Sequence, residues 1–163
     1  MTDLGAFAAV LDGPMFVVTA TAGGERAGCL VGFASQCSIE PPRFMVWLSV
    51  ANRTCRVARE ASSLTVHALS REQRGLAELF GGETGDRVDK FARASWRPGD
   101  AGGLVLTGVR AWFTGRIEER IEGGDHVGFL LAPTEGCAPE EGAEPPPMLR
   151  YRDVKDMEPG HPA

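Results

Sequence analysis

The chain has no Cys-x-x-Cys pair, no block of basic residues and no apolar run of the roughly eighteen residues needed to cross a bilayer. Its four cysteines, Cys29, Cys37, Cys55 and Cys137, lack the spacing of a zinc site. With only three histidines, His67, His126 and His161, a structural metal has few ligands to draw on. At 163 residues and 43% hydrophobic content the chain can build one ordinary core, so the cysteines read as small packing residues rather than disulfides. A formal net charge of -5 with no basic stripe argues against sequence-independent nucleic-acid binding. The N-terminus carries acids where a signal peptide needs a clean apolar centre, so a cytoplasmic protein with no membrane contact is expected. The glycine fingerprint of dinucleotide-binding folds, the P-loop and the G-x-S-x-G elbow are all missing. Gly81-Gly82-Glu83-Thr84-Gly85 has neither the spacing nor a preceding strand.

What is present concentrates between Arg26 and Thr54. This stretch joins a small-residue loop, a polar corner, the pair Pro41-Pro42, an apolar strand and the cluster Asn52-Arg53-Thr54. A short amphipathic helix is expected over Leu4 to Leu11, then strands over Met15 to Thr21 and Ala27 to Ala34 around an Ala22-Gly23-Gly24-Glu25 turn. The prolines should break the ladder before a strand from Phe44 to Val50 that reads as buried on both faces. Asn52 is placed to cap a helix over Thr54 to Glu60, and Leu64 to Leu69 alternates as a strand. Ser70-Arg71-Glu72-Gln73 matches a capping box for a helix through Leu76, Leu79 and Phe80 that stops at Gly81-Gly82. A short helix over Asp86 to Ala94, one long strand from Leu104 to Ile121, and a last strand from His126 to Leu131 complete the pattern. Residues 137–163 are expected to be an extended loop and C-terminal tail of a single domain. Short strands broken by a few helices predict a mainly β fold, a small closed barrel with helical insertions.

The order of these pieces resembles the flavin reductase-like family, the FMN-binding split barrels that include the small reductase components of two-component flavin monooxygenases. The likeness runs from about Leu4 to Leu131. It is carried by Phe16-Val17-Val18-Thr19-Ala20, Gly28, Ser38-Ile39-Glu40-Pro41-Pro42, Asn52-Arg53-Thr54, Ser70-Arg71-Glu72-Gln73, Asp89-Lys90-Phe91 and Gly124-Asp125-His126. The resemblance implies a split β-barrel that binds FMN or FAD and takes hydride from NAD(P)H. It further implies a homodimer and, as a partner, a flavin-dependent monooxygenase. Cofactor contacts are expected from Gly28, Cys29, Leu30, Val31, Gly32, Phe33, Ser35, Ser49, Asn52, Arg53, Thr54, Lys90 and Phe91, with His126 beside the nicotinamide or the ring face. Phe44, Met45, Trp47 and Trp112 are the residues expected toward a second subunit.

The chemistry suits that guest. A flavin ring is apolar on its faces and polar along one edge, so it needs an apolar slot with backbone donors on the rim, which Gly28 to Ser35 can supply. Its phosphate calls for amides, hydroxyls and a guanidinium, as at Asn52, Arg53 and Thr54. Hydride transfer between stacked rings needs no protein nucleophile. Where many relatives carry Thr-Ala-Ser-Ser, this chain has Leu30-Val31-Gly32-Phe33. The lost hydroxyls leave open a deazaflavin-dependent reductase or a non-catalytic flavin-binding module. Plainer roles compete at several positions: a turn histidine at His126, a helix cap at Asn52 and Thr54, a solvated Arg53, an exposed Lys90 beside a core Phe91, and core tryptophans at Trp47, Trp96 and Trp112.

Overall fold

The computed structural model describes residues 2–82 and 88–160. The chain begins with a single helical turn, α1 (Gly5–Ala8), followed by β1 (Phe16–Ala22) and β2 (Glu25–Val31). Gly23 and Gly24 join these strands at φ 57° and 80°, the left-handed pair that a two-residue hairpin turn requires. Next come β3 (Ala34–Ser38), β4 (Arg43–Ser49), the helix α2 (Arg53–Glu60) and β5 (Ser63–Ala68). A 3-10 turn over Arg71–Gln73 leads into α3 (Arg74–Gly82), and the short α4 (Lys90–Arg93) follows. The small ribbon β6 (Trp96–Pro98) and β7 (Leu104–Leu106) precedes two long strands, β8 (Ala111–Glu122) and β9 (His126–Cys137), and then α5 (Tyr151–Val154).

Seven strands form one sheet in the order β2-β1-β5-β8-β9-β4-β3, with every pair antiparallel. The two edges, β2 and β3, are neighbours in the chain, separated only by Gly32 and Phe33. A sheet whose opposite edges are joined by two residues has to curl until those edges come close without pairing, so the outcome is a split barrel. The Trp47 amide donates to the Phe33 carbonyl at 2.9 Å, which carries the β3–β4 ladder back to the residue beside the end of β2. Val31 of β2 then shares one interior cluster with Val46 and Leu48 of β4.

Period-two alternation divides the core in two. Val18 and Ala20 of β1 point into the barrel with Ala27, Cys29, Leu64, Phe129 and Leu131, and α2 closes that interior with Cys55, Val57 and Ala58. Val17 points outward into a second cluster with Phe80, Phe91, Leu106, Leu149 and Val154. His67, fully buried on β5, ties the layers together. Its Nδ1 donates to the Val17 carbonyl and its Nε2 accepts from the Leu106 amide, both at 3.0 Å. Those fixed roles require the neutral ring, and burial pushes its pKa down to about 4.

Several expectations from sequence hold. The Asn52 side chain caps α2 by accepting from the Thr54 amide at 2.9 Å, and Gln73 reaches back to the Ser70 amide at 3.0 Å. Other expectations need correction. The Leu4–Leu11 helix shrinks to α1, because Leu4, Phe7, Val10 and Leu11 find no core and stay exposed. Ala34–Ser38 forms a separate strand rather than a polar corner, because it pairs antiparallel with β4 across the short turn at residues 39–42. Gly108, at φ 86°, interrupts the expected Leu104–Ile121 strand, so β7 pairs with β6 while β8 joins the main sheet. β4 is buried on one face only, at Val46 and Leu48. β9 runs on to Cys137, six residues beyond the expected end at Leu131. Of the expected Asp86–Ala94 helix only Lys90–Arg93 is helical, and residues 86 and 87 lie outside the described residues. Cys29 and Cys55 are buried, but Cys37 and Cys137 are exposed, and all four are free thiols. No helix among the described residues is long and apolar enough to cross a membrane.

Candidate functional site

β2 is a sheet edge, so every second residue turns its N–H and C=O away from β1. Two of these outward carbonyls are already used. Arg53 Nη1 donates to the Arg26 carbonyl at 2.7 Å, and Lys90 Nζ donates to the Gly28 carbonyl at 3.0 Å. The same alternation turns the N–H and C=O of Leu30 toward the free edge, where a cleft of about 430 Å³ opens. An outward-turned backbone donor and acceptor beside an apolar slot is what the polar edge of a planar heterocycle needs.

Three parts of the chain wall this cleft. Cys29, Leu30, Val31, Gly32 and Phe33 form the rim. Trp47, Leu48, Ser49, Asn52 and His126 form the opposite side, where Ser49 and His126 are register partners across β4 and β9. Tyr151, Val154, Lys155, Met157 and Pro159 close the third side. His126 Nδ1 bonds the Asp125 carboxylate at 2.7 Å, and that bond holds the Asp125 pKa below its usual range. The pairing fixes the imidazole, whose ring lies 5.1 Å from the Phe33 ring at 49°. Phe33 itself is 61% exposed at the mouth, so it rims the slot instead of plugging it. Beneath the floor, the Cys29 thiol is pushed up to about 11 by burial, which makes it a packing group with no nucleophilic thiolate.

The expected contact residues divide between two neighbouring spaces. Cys29 to Phe33, Ser49, Asn52 and His126 line the cleft. Gly28, Arg53, Thr54, Lys90 and Phe91 instead line an adjoining cavity of about 510 Å³ on the far side of the Asn52–Thr54 turn. Ser35 is exposed on β3 and lines neither. Two expected reasons also change. The absent side chain of Gly28 makes room for Phe80, since a Cβ there would lie 2.7 Å from Phe80 Cε1. Lys90 is buried rather than exposed, with its ammonium bonded to the Gly28 and Phe80 carbonyls at 3.0 and 2.9 Å.

Sequence reasoning missed the C-terminal wall. Residues 137–163 are not simply a loose tail: Leu149 is 1% exposed, its amide donates to the Leu69 carbonyl at 2.9 Å, and α5 packs Val154 into the outer core. The Gly160 amide bonds the Gly81 carbonyl at 3.1 Å, drawing Met157 across the rim strand. Only the apolar pair Met148-Leu149 after the proline run hinted that the chain returns to the body.

Residues 9–157 match the family model described as the flavin reductase like domain. The probable flavin reductase of Rhizobium meliloti is 30% identical over 122 residues, which are 75% of this chain but 38% of that protein, so the chain spans well under half of it. The NADH:FMN oxidoreductase of Rhodococcus erythropolis is 28% identical over 144 residues, covering 88% of this chain and 73% of that one. Among solved structures, an FMN-binding protein from Thermus thermophilus superposes with a TM-score of 0.78 at 25% identity, over 87% of this chain and 79% of that one. The curled seven-stranded sheet, the edge-strand cleft and a family match across nearly the whole chain agree, and the protein belongs to the flavin reductase-like family of FMN-binding split barrels.

Proposed function

We propose that this protein is an NAD(P)H-dependent flavin oxidoreductase that holds the flavin ring in the cleft between Leu30 and His126. The observation that carries the reading is the free backbone edge at Leu30, facing an apolar slot walled by Trp47 and Met157. When bound, a flavin supplies the hydride acceptor that no side chain here provides. Leu30 offers the amide and carbonyl for the polar edge of the ring. Asn52 lines the cleft and caps α2, whose first residues, Arg53 and Thr54, line the adjoining cavity, so the phosphate end of the flavin would pass Asn52 to reach the helix amides and the Arg53 guanidinium there. His126, oriented by Asp125, borders the open face over which a nicotinamide would stack, and Phe33 shields that face from water.

In this reading the reduced flavin serves a flavin-dependent monooxygenase; one relative, from Mycobacterium tuberculosis, is the reductase subunit of such an enzyme. The active species is a homodimer. Phe44 and Met45 keep half-buried apolar surface that a second copy can cover, whereas Trp112 is already buried within the chain beneath Arg97. The decisive experiment is an FMN titration followed by flavin fluorescence, with NADH and NADPH oxidation monitored in parallel. Saturable quenching together with flavin-dependent NAD(P)H oxidation is expected. Binding without oxidation would reduce the protein to a flavin carrier, and the absence of both would overturn the reading.

A further inference from the structure

The adjoining cavity is larger than the flavin phosphate expected at its edge requires. At about 510 Å³ it exceeds the 430 Å³ of the cleft and falls in the range of about 300–1,000 Å³ that holds a ring-bearing ligand. Its polar lining is biased toward cations. Arg26, Arg53 and Lys90 face two carboxylates, and both acids are engaged: Glu25 with Arg53 at 3.3 Å, and Asp89 as the cap accepting from the Phe91 amide at 3.1 Å. The cations are also stiffened from behind by a ladder of edge-to-face rings, Phe80 to Phe91 at 5.7 Å and Phe91 to Trp96 at 5.9 Å. The Arg26 guanidinium rests 4.9 Å from the Trp96 ring centre. A guanidinium held by one face on an indole presents its other face as a flat, cationic platform, well matched to a purine.

We propose that this cavity is an adenylate subsite, with Arg26 stacking on the adenine and the Arg53 guanidinium receiving its 5′-phosphate. The proposal rests on the flavin reading and extends it: Asn52 lines the cleft and the next residues, Arg53 and Thr54, line the cavity, so a ligand whose ring fills one has its other end directed to the other. Two substrates of such an enzyme carry an adenylate, FAD and the nicotinamide dinucleotides. The chemistry of the cavity is the same for both.

The test measures dissociation constants for FMN, FAD and AMP, and KM for NADH against reduced nicotinamide mononucleotide, in the native chain and in Arg26→Ala. Arg26 is an exposed side chain on a strand edge, so its truncation leaves both cores intact. AMP is expected to bind the native chain and to lose about tenfold in affinity in the variant. If FAD binds about tenfold tighter than FMN and Arg26→Ala removes that advantage while FMN is unchanged, the adenylate belongs to the flavin. If NADH shows the advantage instead and the variant raises only its KM, the adenylate belongs to the electron donor. The subsite is overturned if AMP does not bind, or if Arg26→Ala leaves AMP, FAD and NADH all unaffected. A chain that binds AMP but not FMN would keep the subsite and sink the flavin reading.

Discussion

Acidification should weaken this fold above the pH at which its depressed carboxylates, Asp12 and Asp125, titrate, because His67 is locked neutral. Its two hydrogen bonds require a protonated Nδ1 for the Val17 carbonyl and a bare Nε2 for the Leu106 amide. Burial lowers the folded pKa from 6.5 to about 4. A histidine depressed in the folded state costs nothing above the unfolded pKa, where both states are neutral. Below about pH 6.5 the unfolded chain takes up a proton that the folded chain refuses, so stability falls until the folded ring titrates near pH 4. At about 1.4 kcal/mol per unit, the window is worth about 3 kcal/mol, a large share of the ~5–15 kcal/mol that holds a typical domain. Urea unfolding at fixed steps from pH 7 to pH 4 measures this directly. With urea slopes of about 1–3 kcal/mol per molar, the midpoint should drop by about 1–3 M. His67→Asn keeps a donor for Val17 but strands the Leu106 amide, costing about 1–3 kcal/mol at pH 7, and it should lose the pH slope. Two depressed carboxylates do not interfere. Asp12, held down by its bonds from Arg152, and Asp125, held down by His126, contribute stability that is lost only as pH falls below 3.8. A native chain with flat stability between pH 6.5 and 4, or a variant that keeps the slope, would refute the buried neutral ring.

Three further outcomes are expected. Gly28→Ala forces a Cβ to within 2.7 Å of the Phe80 ring, which is pinned edge-to-face by Phe91, so overpacking should cost about 1–3 kcal/mol in urea melts. Gly28→Ala with Phe80→Leu should recover part of that loss, and strict additivity of the two changes would show that the contact is not the cause. Arg53→Ala removes a guanidinium from the phosphate side and should weaken FMN about tenfold or more by fluorescence titration, since a charged hydrogen bond is worth about 1.5–3 kcal/mol; an unchanged dissociation constant would dismiss that role. His126→Ala should lower kcat for NADH oxidation while leaving FMN affinity within about twofold, and Asp125→Asn, which removes the carboxylate that orients the ring, should lower kcat less; an unaltered rate in the first variant would remove His126 from the site.

Much of the fold was legible because it follows from local rules. The Gly23-Gly24 hairpin, the Asn52 cap, the Ser70–Gln73 reach-back and the alternating strands β1 and β5 all rest on neighbours a few residues apart. The family likeness was legible for the same reason, since its signs are short segments in a fixed order. Sequence alone therefore determined a mainly β domain with Gly28 to Phe33 and Asn52 to Thr54 in prominent places. Tertiary structure decided what those places do. Only the strand order of the curled sheet leaves β2 as an edge and brings β4 and β9 opposite it, which makes that edge the rim of a cleft. Only packing reveals that Gly28 makes room for Phe80, that Lys90 is spent on carbonyls, and that residues 151–159 come back to wall the site. The physical reason is distance along the chain: caps and turns are set by contacts over a few residues, whereas a cleft is set by which remote segments the core draws together.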